Sequence, residues 1–224
     1  MGRSPRGARV MTQVRSVGAL IGSQRVIPLI QTTNPESALQ ACRALADGGL
    51  RVIEIVLRTS VALDAVRLVR QALPHVVVAV GTVKTPSQMA EAVTAGAHLI
   101  VSPGTTVAMY DAARDLDVPF LPGTSTPSDV LLSESRGFEI VKVFPIAQLG
   151  GAAYLVALAS VFPAMRFVPT GGITSDDVAT YLAVAGVAAV GGSFPCPRSS
   201  VDSGDWTGIR RRADALAGLH GKAT

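Results

Sequence analysis

The sequence predicts a single-domain α/β fold of the (β/α)8 TIM-barrel type. Two features of the 224-residue chain support this prediction: short apolar runs recur along it, and most are followed by a stretch with helical spacing. Apolar strands that alternate with helices are typical of a parallel sheet covered by helices. The eight runs span residues 26–30, 52–56, 76–80, 99–101, 118–121, 138–143, 167–168 and 187–190.

The helices expected between these strands are clearest over residues 37–46 and 89–95. Several helical stretches run into a glycine just before the next strand, at Gly48, Gly96 and Gly186. Strand starts recur about every 19–29 residues, which is the length of one strand, one helix and their loops. Eight such units fit a closed barrel, and an open doubly wound sheet is the alternative.

The start of the chain differs from the rest in charge. Residues 1–10 contain Arg3, Arg6 and Arg9 and no acidic residue, and no other composition shift marks a boundary. We therefore expect a basic, flexible leader over residues 1–15 and one barrel domain over residues 16–224. The leader lacks the apolar stretch of a secretory signal, so a disordered tail or a start at Met11 is favoured over a transit peptide.

The remaining composition argues against nucleic-acid and membrane partners. The formal net charge of +4 falls to +1 without the three leader arginines, and only 4% of residues are aromatic. Two uncharged intervals, 143–165 and 178–197, are interrupted by glycine and proline too often to span a bilayer. With only two cysteines there is no disulfide framework, so we expect a cytoplasmic protein.

Charged residues inside an apolar strand mark the first candidate site. In residues 51–59 (RVIEIVLRT), a period of two puts Glu54 and Arg58 on one face, towards the carboxyl end of the strand. Parallel barrels place their active sites at that end. A structural ion pair remains the alternative interpretation of this segment.

Lys142 is the second such residue, in the run 138–145 (FEIVKVFP). It shares a strand face with Phe138, Ile140 and Phe144, which predicts that its amine enters an apolar interior. Burial disfavours a charged amine and so favours the neutral nucleophile needed for an imine with a ketone. The alternative is a lysine held by a buried carboxylate such as that of Glu54.

Two glycine turns supply the third signal, at 168–173 (VPTGGI) and 190–193 (VGGS). Glycine permits close backbone approach, and free N–H groups at a helix start bind phosphate without a basic side chain. The segment 174–177 (TSDD) resembles a helix capping box, which would supply such a start. Ordinary turn glycines are the alternative. Thr82 ends another strand, where it would contact substrate or cap a helix.

No metal site is expected, since His75, His98 and His220 have no ligand-like spacing. Cys42 fits a helix core position rather than a nucleophile, and the run of arginines 210–212 fits a solvated helix face.

Taken together, seven segments in order make the chain resemble the 2-keto-3-deoxy-6-phosphogluconate (KDPG) aldolase and 4-hydroxy-2-oxoglutarate (KHG) aldolase family. These enzymes are class I pyruvate aldolases with a (β/α)8 barrel, and the resemblance covers about residues 25–206. The segments are 48–59 (GGLRVIEIVLRT), 81–83 (GTV), 102–104 (SPG), 122–123 (PG), 142–145 (KVFP), 169–172 (PTGG) and 191–193 (GGS).

The resemblance implies a role for each candidate residue. Lys142 is implied as the Schiff-base lysine and Glu54 as the acid/base. At the pyruvate end of the substrate the implied residues are Arg58 and Thr82. At its phosphate end they are Thr170, Gly171, Gly172 and Ser193.

The resemblance also implies cleavage of KDPG to pyruvate and glyceraldehyde 3-phosphate, without a metal or organic cofactor, by a homotrimer. The expected partner is therefore a small 2-keto acid, phosphorylated or not. Two departures bear on substrate preference: Phe144-Pro-Ile-Ala147 replaces the family's frequent Phe-Pro-Ala-Glu, and Ala79-Val-Gly-Thr-Val83 replaces its usual Gly-Ala-Gly-Thr-Val. The alternatives are a KHG aldolase and a non-enzymatic barrel that binds sugar phosphates.

Overall fold

The computed structural model describes residues 16–219. The leader expected over residues 1–15 lies outside this range, as do His220 and the C-terminal Lys222. Within the described residues the strands are β1 (Val26–Ile30), β2 (Val52–Val56), β3 (Val77–Gly81), β4 (Leu99–Val101), β5 (Phe120–Leu121), β6 (Gly123–Thr124), β7 (Ile140–Val143), β8 (Arg166–Pro169) and β9 (Val190–Gly192).

Helices follow nearly all of these strands, as the sequence predicts. They are α1 (Val17–Ile21), α2 (Pro35–Asp47), α3 (Ala62–Ala72), α4 (Pro86–Thr94), α5 (Val107–Ala113), α6 (Pro127–Ser135), α7 (Gly151–Val161), α8 (Val178–Leu182), α9 (Arg198–Ser203) and α10 (Trp206–Ala217). No helix in the part of the chain that the structure describes is long and apolar enough to cross a membrane.

All strand pairs are parallel, so the prediction of a parallel α/β fold is confirmed. The ladders form two arcs rather than one continuous ring, in the orders β5-β4-β3-β2-β1-β9 and β6-β7-β8. Two isolated parallel bridges, Phe167 to Val187 and Thr170 to Gly191, link the neighbourhoods of β8 and β9. The curled sheet thus brings the carboxyl ends of its strands to one side.

Pro122 separates the two arcs. The sequence predicts one strand over 118–121, but the structure has β5 paired with β4 and, after Pro122, β6 paired with β7. Proline has no N–H to continue a ladder, and its carbonyl instead accepts a hydrogen bond from the Lys142 N–H at 2.9 Å. The chain therefore changes ladders at the proline.

The last predicted strand, 187–190, is wrong in its bounds: it shares only Val190 with β9, and Val187 forms an isolated bridge. The ladder of β9 covers Val190–Gly192 and pairs with Val26–Pro28 of β1, so two glycines taken for a turn belong to the sheet. A Cβ at Gly191 would overlap the Thr170 side chain, which explains why a residue without a side chain stands in this strand.

Three loops enter their helices with the same local sequence, an N-cap followed by proline. The side chains of Asn34, Thr85 and Thr126 each accept a backbone N–H of the first helical turn, and proline fixes the next residue.

The capping box expected at 174–177 is wrong. Asp177 accepts from the Thr174 N–H and hydroxyl in a turn ahead of α8 and gives α8 no side-chain cap.

The strands have one face towards the helices and one towards the interior of the curl. On β2, Ile53 and Ile55 pack with the residues of α2 and α3, so Val52, Glu54 and Val56 point inward. On β7, Val141 and Val143 pack outward, which leaves Ile140 and Lys142 on the inner face. A separate inner cluster, which includes Ile21 of α1, fills the opposite part of the interior.

Gln24 ties the beginnings of β1 and β2 together. Its amide nitrogen donates to the carbonyls of Val26 and Val52, both at 2.7 Å. Its amide oxygen accepts the N–H groups of Arg51 and Val52 at 2.8 and 2.9 Å. We expect Gln24→Leu to lower the free energy of unfolding by about 1–3 kcal/mol, because partly buried backbone groups lose their partners.

Urea denaturation measures this change, with Gln40→Leu as the matched control. Gln40 lies on α2, and its amide makes an exposed hydrogen bond to Glu36. We expect the control to change stability by no more than about 0.5 kcal/mol. Equal effects of the two substitutions would contradict the role assigned to Gln24.

Candidate active site

Lys142 and Glu54 meet inside the curl of the sheet. The Lys142 Nζ lies 3.1 Å from Oε1 and 3.5 Å from Oε2 of Glu54, although the two residues are 88 positions apart. Each side chain is only 5% exposed. Because β2 belongs to one arc and β7 to the other, this ion pair spans the interior.

Small residues on β3 make room for the glutamate. In the parallel register Glu54 lies beside Ala79, and Val56 lies beside Gly81. A Cβ at Gly81 would overlap the Glu54 carboxylate. Gly81 has no positive φ, so this position requires a glycine for its small size and not for its backbone freedom. The carboxylate can therefore lean over β3 and still reach Lys142.

The contact with Glu54 is the one expected for a lysine held by a buried carboxylate, and it is also compatible with a reactive amine beside a proton acceptor. Each ion loses hydration on burial, and the close partner compensates for part of that loss. The Phe144 ring adds a second favourable contact, with its centroid 5.9 Å from the Lys142 Nζ. The contact is short enough for a proton to pass directly between the amine and the carboxylate, and both side chains are shielded from solvent.

A cavity of about 480 Å³ opens just beyond this pair. Val56, at the end of β2, and Phe144, directly after β7, line it, and each stands two residues after a member of the pair. The other lining residues are Leu29, Gln31, Arg58, Pro145, Gln148, Thr170, Gly171, Gly172, Ile173, Gly192, Ser193, Cys196 and Arg198.

Five of the eight site residues predicted from the sequence line this cavity. They are Arg58, Thr170, Gly171, Gly172 and Ser193. Lys142 and Glu54 are not among the lining residues, although Phe144 and Val56, two positions further along the chain, are. Thr82 does not line the cavity; it follows β3 with a φ of 59°, a left-handed conformation that is uncommon for a residue other than glycine.

The glycine turns form one wall of the cavity. Gly171 and Gly172 have φ values of 99° and 76°, so other residues would be strained there. A Cβ at Gly172 would lie 2.5 Å from the Cβ of Ala147, which shows how closely this turn packs on the segment after β7. The nearby Thr170 is 2% exposed, and its bridge to Gly191 brings the two turns together. Backbone N–H groups and a hydroxyl are thus available to an anion at this wall.

Sequence reasoning missed four polar residues of the cavity: Gln31, Gln148, Cys196 and Arg198. Gln31 directly follows β1, and its position at a strand end is a signal that could have revealed it. Burial raises the pKa of the Cys196 thiol to about 12, against an opposing effect of Arg212, so this thiol stays protonated near neutral pH. Cys42 is also buried, as expected for a core position.

The charge of the cavity favours an anionic ligand. Arg58 and Arg198 are its ionisable lining residues apart from Cys196, and no carboxylate is among the lining residues. Residues 16–219 contain no group of three or more His, Cys, Asp or Glu side chains arranged to hold a metal ion. The arrangement can therefore bind an anion next to an amine and a carboxylate that exchange a proton.

Comparison with known proteins gives the same picture. The family model described as KDPG and KHG aldolase matches residues 17–212. The 2-dehydro-3-deoxy-phosphogluconate aldolase of Dickeya dadantii is 41% identical over 194 residues, covering 86% of this chain and 91% of its own. The KHG/KDPG aldolase of Escherichia coli K12 is 37% identical over 198 residues, covering 88% and 93%.

Solved structures agree. The KDPG aldolase of Legionella pneumophila, with pyruvate captured as a covalent carbinolamine intermediate, has a TM-score of 0.87 at 37% identity and covers 89% of this chain and 97% of its own. The aldolase of Zymomonas mobilis ATCC 29191 has a TM-score of 0.87 at 33% identity and covers 93% and 99%. This chain therefore belongs to the KDPG and KHG aldolase family.

Proposed function

We propose that this chain is a class I aldolase that cleaves KDPG to pyruvate and glyceraldehyde 3-phosphate. The observation that carries the proposal is the buried contact of 3.1 Å between the Lys142 Nζ and the Glu54 Oε1, next to a cavity with cationic residues. An amine attacks a ketone only when neutral, and the adjacent carboxylate is placed to accept its proton. Membership of the family agrees with this chemistry.

In the first steps, the neutral Lys142 amine attacks the C2 ketone and forms a carbinolamine. Glu54 takes a proton from the nitrogen and returns one to the departing hydroxyl, so that water leaves and an iminium forms. The carbon–nitrogen double bond then carries a positive charge beside the carboxylate. That charge makes C2 an acceptor for the electrons of the next bond to break.

In the cleavage step, Glu54 takes the proton of the C4 hydroxyl. The C3–C4 bond breaks, its electrons form the enamine at C3, and C4 leaves as the aldehyde carbon of glyceraldehyde 3-phosphate. Protonation at C3 regenerates an iminium, and water hydrolyses it to pyruvate and the free amine. This sequence balances without a metal or organic cofactor.

The binding roles are those that the resemblance implies, and five of the six residues concerned line the cavity, Thr82 being the exception. Arg58 comes after β2, the strand of Glu54, and is assigned to the substrate carboxylate, together with Thr82 at the end of β3. Thr170, Gly171, Gly172 and Ser193 are assigned to the phosphate. Their support is the close approach of the two turns and the absence of any carboxylate among the lining residues.

Cleavage of KHG is the second candidate function. It is favoured by the family description, which covers both substrates, and by the E. coli relative, whose name carries both. The same lysine chemistry would release pyruvate from the shorter acid. Comparing turnover of KDPG and KHG, each with and without added inorganic phosphate, separates the two; a non-enzymatic sugar-phosphate-binding barrel would turn over neither.

The closure of the barrel is also proposed. We propose that the two arcs form one (β/α)8 barrel, supported by the bridge from Thr170 to Gly191 and by the direct continuation of β5 into β6 around Pro122. One barrel domain over residues 16–224, the leader over residues 1–15, the homotrimer and the cytoplasmic location stay predictions.

The imine itself can be trapped. The sequence has three lysines, Lys84, Lys142 and Lys222. We expect pyruvate with borohydride to add a stable secondary amine at Lys142 alone, because Lys142 is the lysine beside a buried carboxylate in residues 16–219. Peptide mass mapping locates the adduct. Lys84→Arg is the matched control and should trap as well as the wild type, since Lys84 is exposed. Labelling elsewhere, or none, would refute a class I mechanism.

Glu54→Gln is expected to lower kcat by about a hundredfold or more. The amide keeps the volume of the side chain but cannot accept the protons of the carbinolamine and of the C4 hydroxyl. Steady-state kinetics give kcat, and circular dichroism checks that the fold is retained. A folded variant with an unchanged rate would remove Glu54 from the mechanism.

Gly81→Ala tests the geometry without altering either charged residue. The new methyl group occupies space used by the Glu54 carboxylate, so the carboxylate must move relative to the Lys142 amine. We expect kcat to fall at least tenfold, given the sensitivity of catalysis to displacements of about 1 Å. Ala79→Gly, on the same strand, adds no atoms and serves as the control; wild-type turnover by Gly81→Ala would argue against the arrangement.

A further inference from the structure

Two arginines line the cavity, and they come from different parts of the sheet. Arg58 follows β2 and Arg198 follows β9, and in the sheet β1 lies between these two strands. Arg58 is thus on the side of the reacting pair. Arg198 is on the side of Ser193 and the glycine turns, five residues beyond that serine. Arg58 thus belongs to the part of the cavity next to Glu54, and Arg198 to the part assigned to the phosphate.

The segment that carries Arg198 is held firmly in place. Pro195 and Pro197 fix two of its φ angles. Arg212, from α10, donates its Nε to the Pro195 carbonyl at 3.2 Å and its Nη2 to the Ser200 hydroxyl at 2.7 Å. The backbone is thus anchored on both sides of Arg198, so the start of this side chain has a defined position at the rim.

The guanidinium of Arg198 still has donors to offer. Its Nε donates to the Asp202 carboxylate at 3.3 Å, and the two side chains are 59% and 50% exposed. This contact uses one of the five N–H donors of arginine. Within residues 16–219 no hydrogen bond joins Nη1 or Nη2 of Arg198 to another residue. Those four N–H groups form a planar fork suited to a phosphate.

We propose that Arg198 is a specificity-determining residue that binds the phosphate of the substrate from the rim of the cavity. The inference rests on the proposed function, in which this wall receives the phosphate. Ser193 and the backbone N–H groups of the turns are neutral donors. Arg198 supplies the positive charge that distinguishes a phosphate dianion from the hydroxyl of an unphosphorylated sugar acid.

Binding of two small probes tests this assignment independently of turnover. Glycerol 3-phosphate reports on the phosphate end and pyruvate on the other end, and NMR titration gives both dissociation constants. In Arg198→Gln, we expect Kd for glycerol 3-phosphate to rise about fivefold at low ionic strength, as for an exposed charge pair. The Kd for pyruvate should remain unchanged.

Kinetics should show the same selectivity. For Arg198→Gln we expect a similar rise in KM for KDPG with kcat nearly unchanged, because a rim contact holds substrate and transition state equally. The KM for 2-keto-3-deoxygluconate, the same carbon chain without phosphate, should not rise. Added salt should reduce the difference between wild type and variant, since it screens the charge.

Arg210→Gln is the matched control for the loss of one positive charge. Arg210 is exposed on α10 and does not line the cavity. Its substitution should therefore leave unchanged the Kd values for glycerol 3-phosphate and pyruvate and the KM values for KDPG and 2-keto-3-deoxygluconate. Three results would each overturn the inference. They are equal losses of affinity in the two arginine variants, equal losses of affinity for phosphorylated and unphosphorylated ligands, and no loss of affinity in Arg198→Gln. Failure of the borohydride reaction in the wild type would instead refute the aldolase mechanism while leaving the Kd comparison intact.

Discussion

The contact between Lys142 and Glu54 is the interaction on which the rest of the structure depends. It links β7 to β2, and so joins the two arcs of the sheet through the interior. Removing one member of such a pair typically costs about 3–5 kcal/mol, because the other charge is left buried without a partner. The stability of the fold and the proposed chemistry therefore depend on the same contact, between the Lys142 Nζ and the Glu54 Oε1. A substitution of either residue should affect stability and activity together.

The surroundings of this pair are shaped by residues that lack bulk or an N–H group. Gly81 leaves room for the Glu54 carboxylate, and Gly191 leaves room for Thr170. Pro122 ends one ladder and gives its carbonyl to the Lys142 N–H, which helps fix the strand that carries the lysine. The small size of these glycines and the missing N–H of this proline thus help to determine where the reactive groups stand.

The two arginines of the cavity come from different parts of the sheet. Arg58 lies on the side of the reacting pair, and Arg198 lies with the glycine turns. A ligand with an anionic group at each end matches this distribution, and a cavity without lining carboxylates does not repel it. The departure at Ala147 fits the same picture: a small, neutral side chain lies against Gly172, where the family often has a glutamate.

The sequence by itself determined the parallel α/β class, the exact spans of β1, β2 and β4, and the interior position of Lys142, because strand periodicity is a local property. Only the tertiary structure decided that Lys142 and Glu54 meet across 88 positions, that a second short strand follows Pro122 and pairs with β7, and that Gly191 belongs to the sheet. It also brought Arg198 into the cavity wall. Such facts depend on which distant strands become neighbours, and no local pattern records that choice.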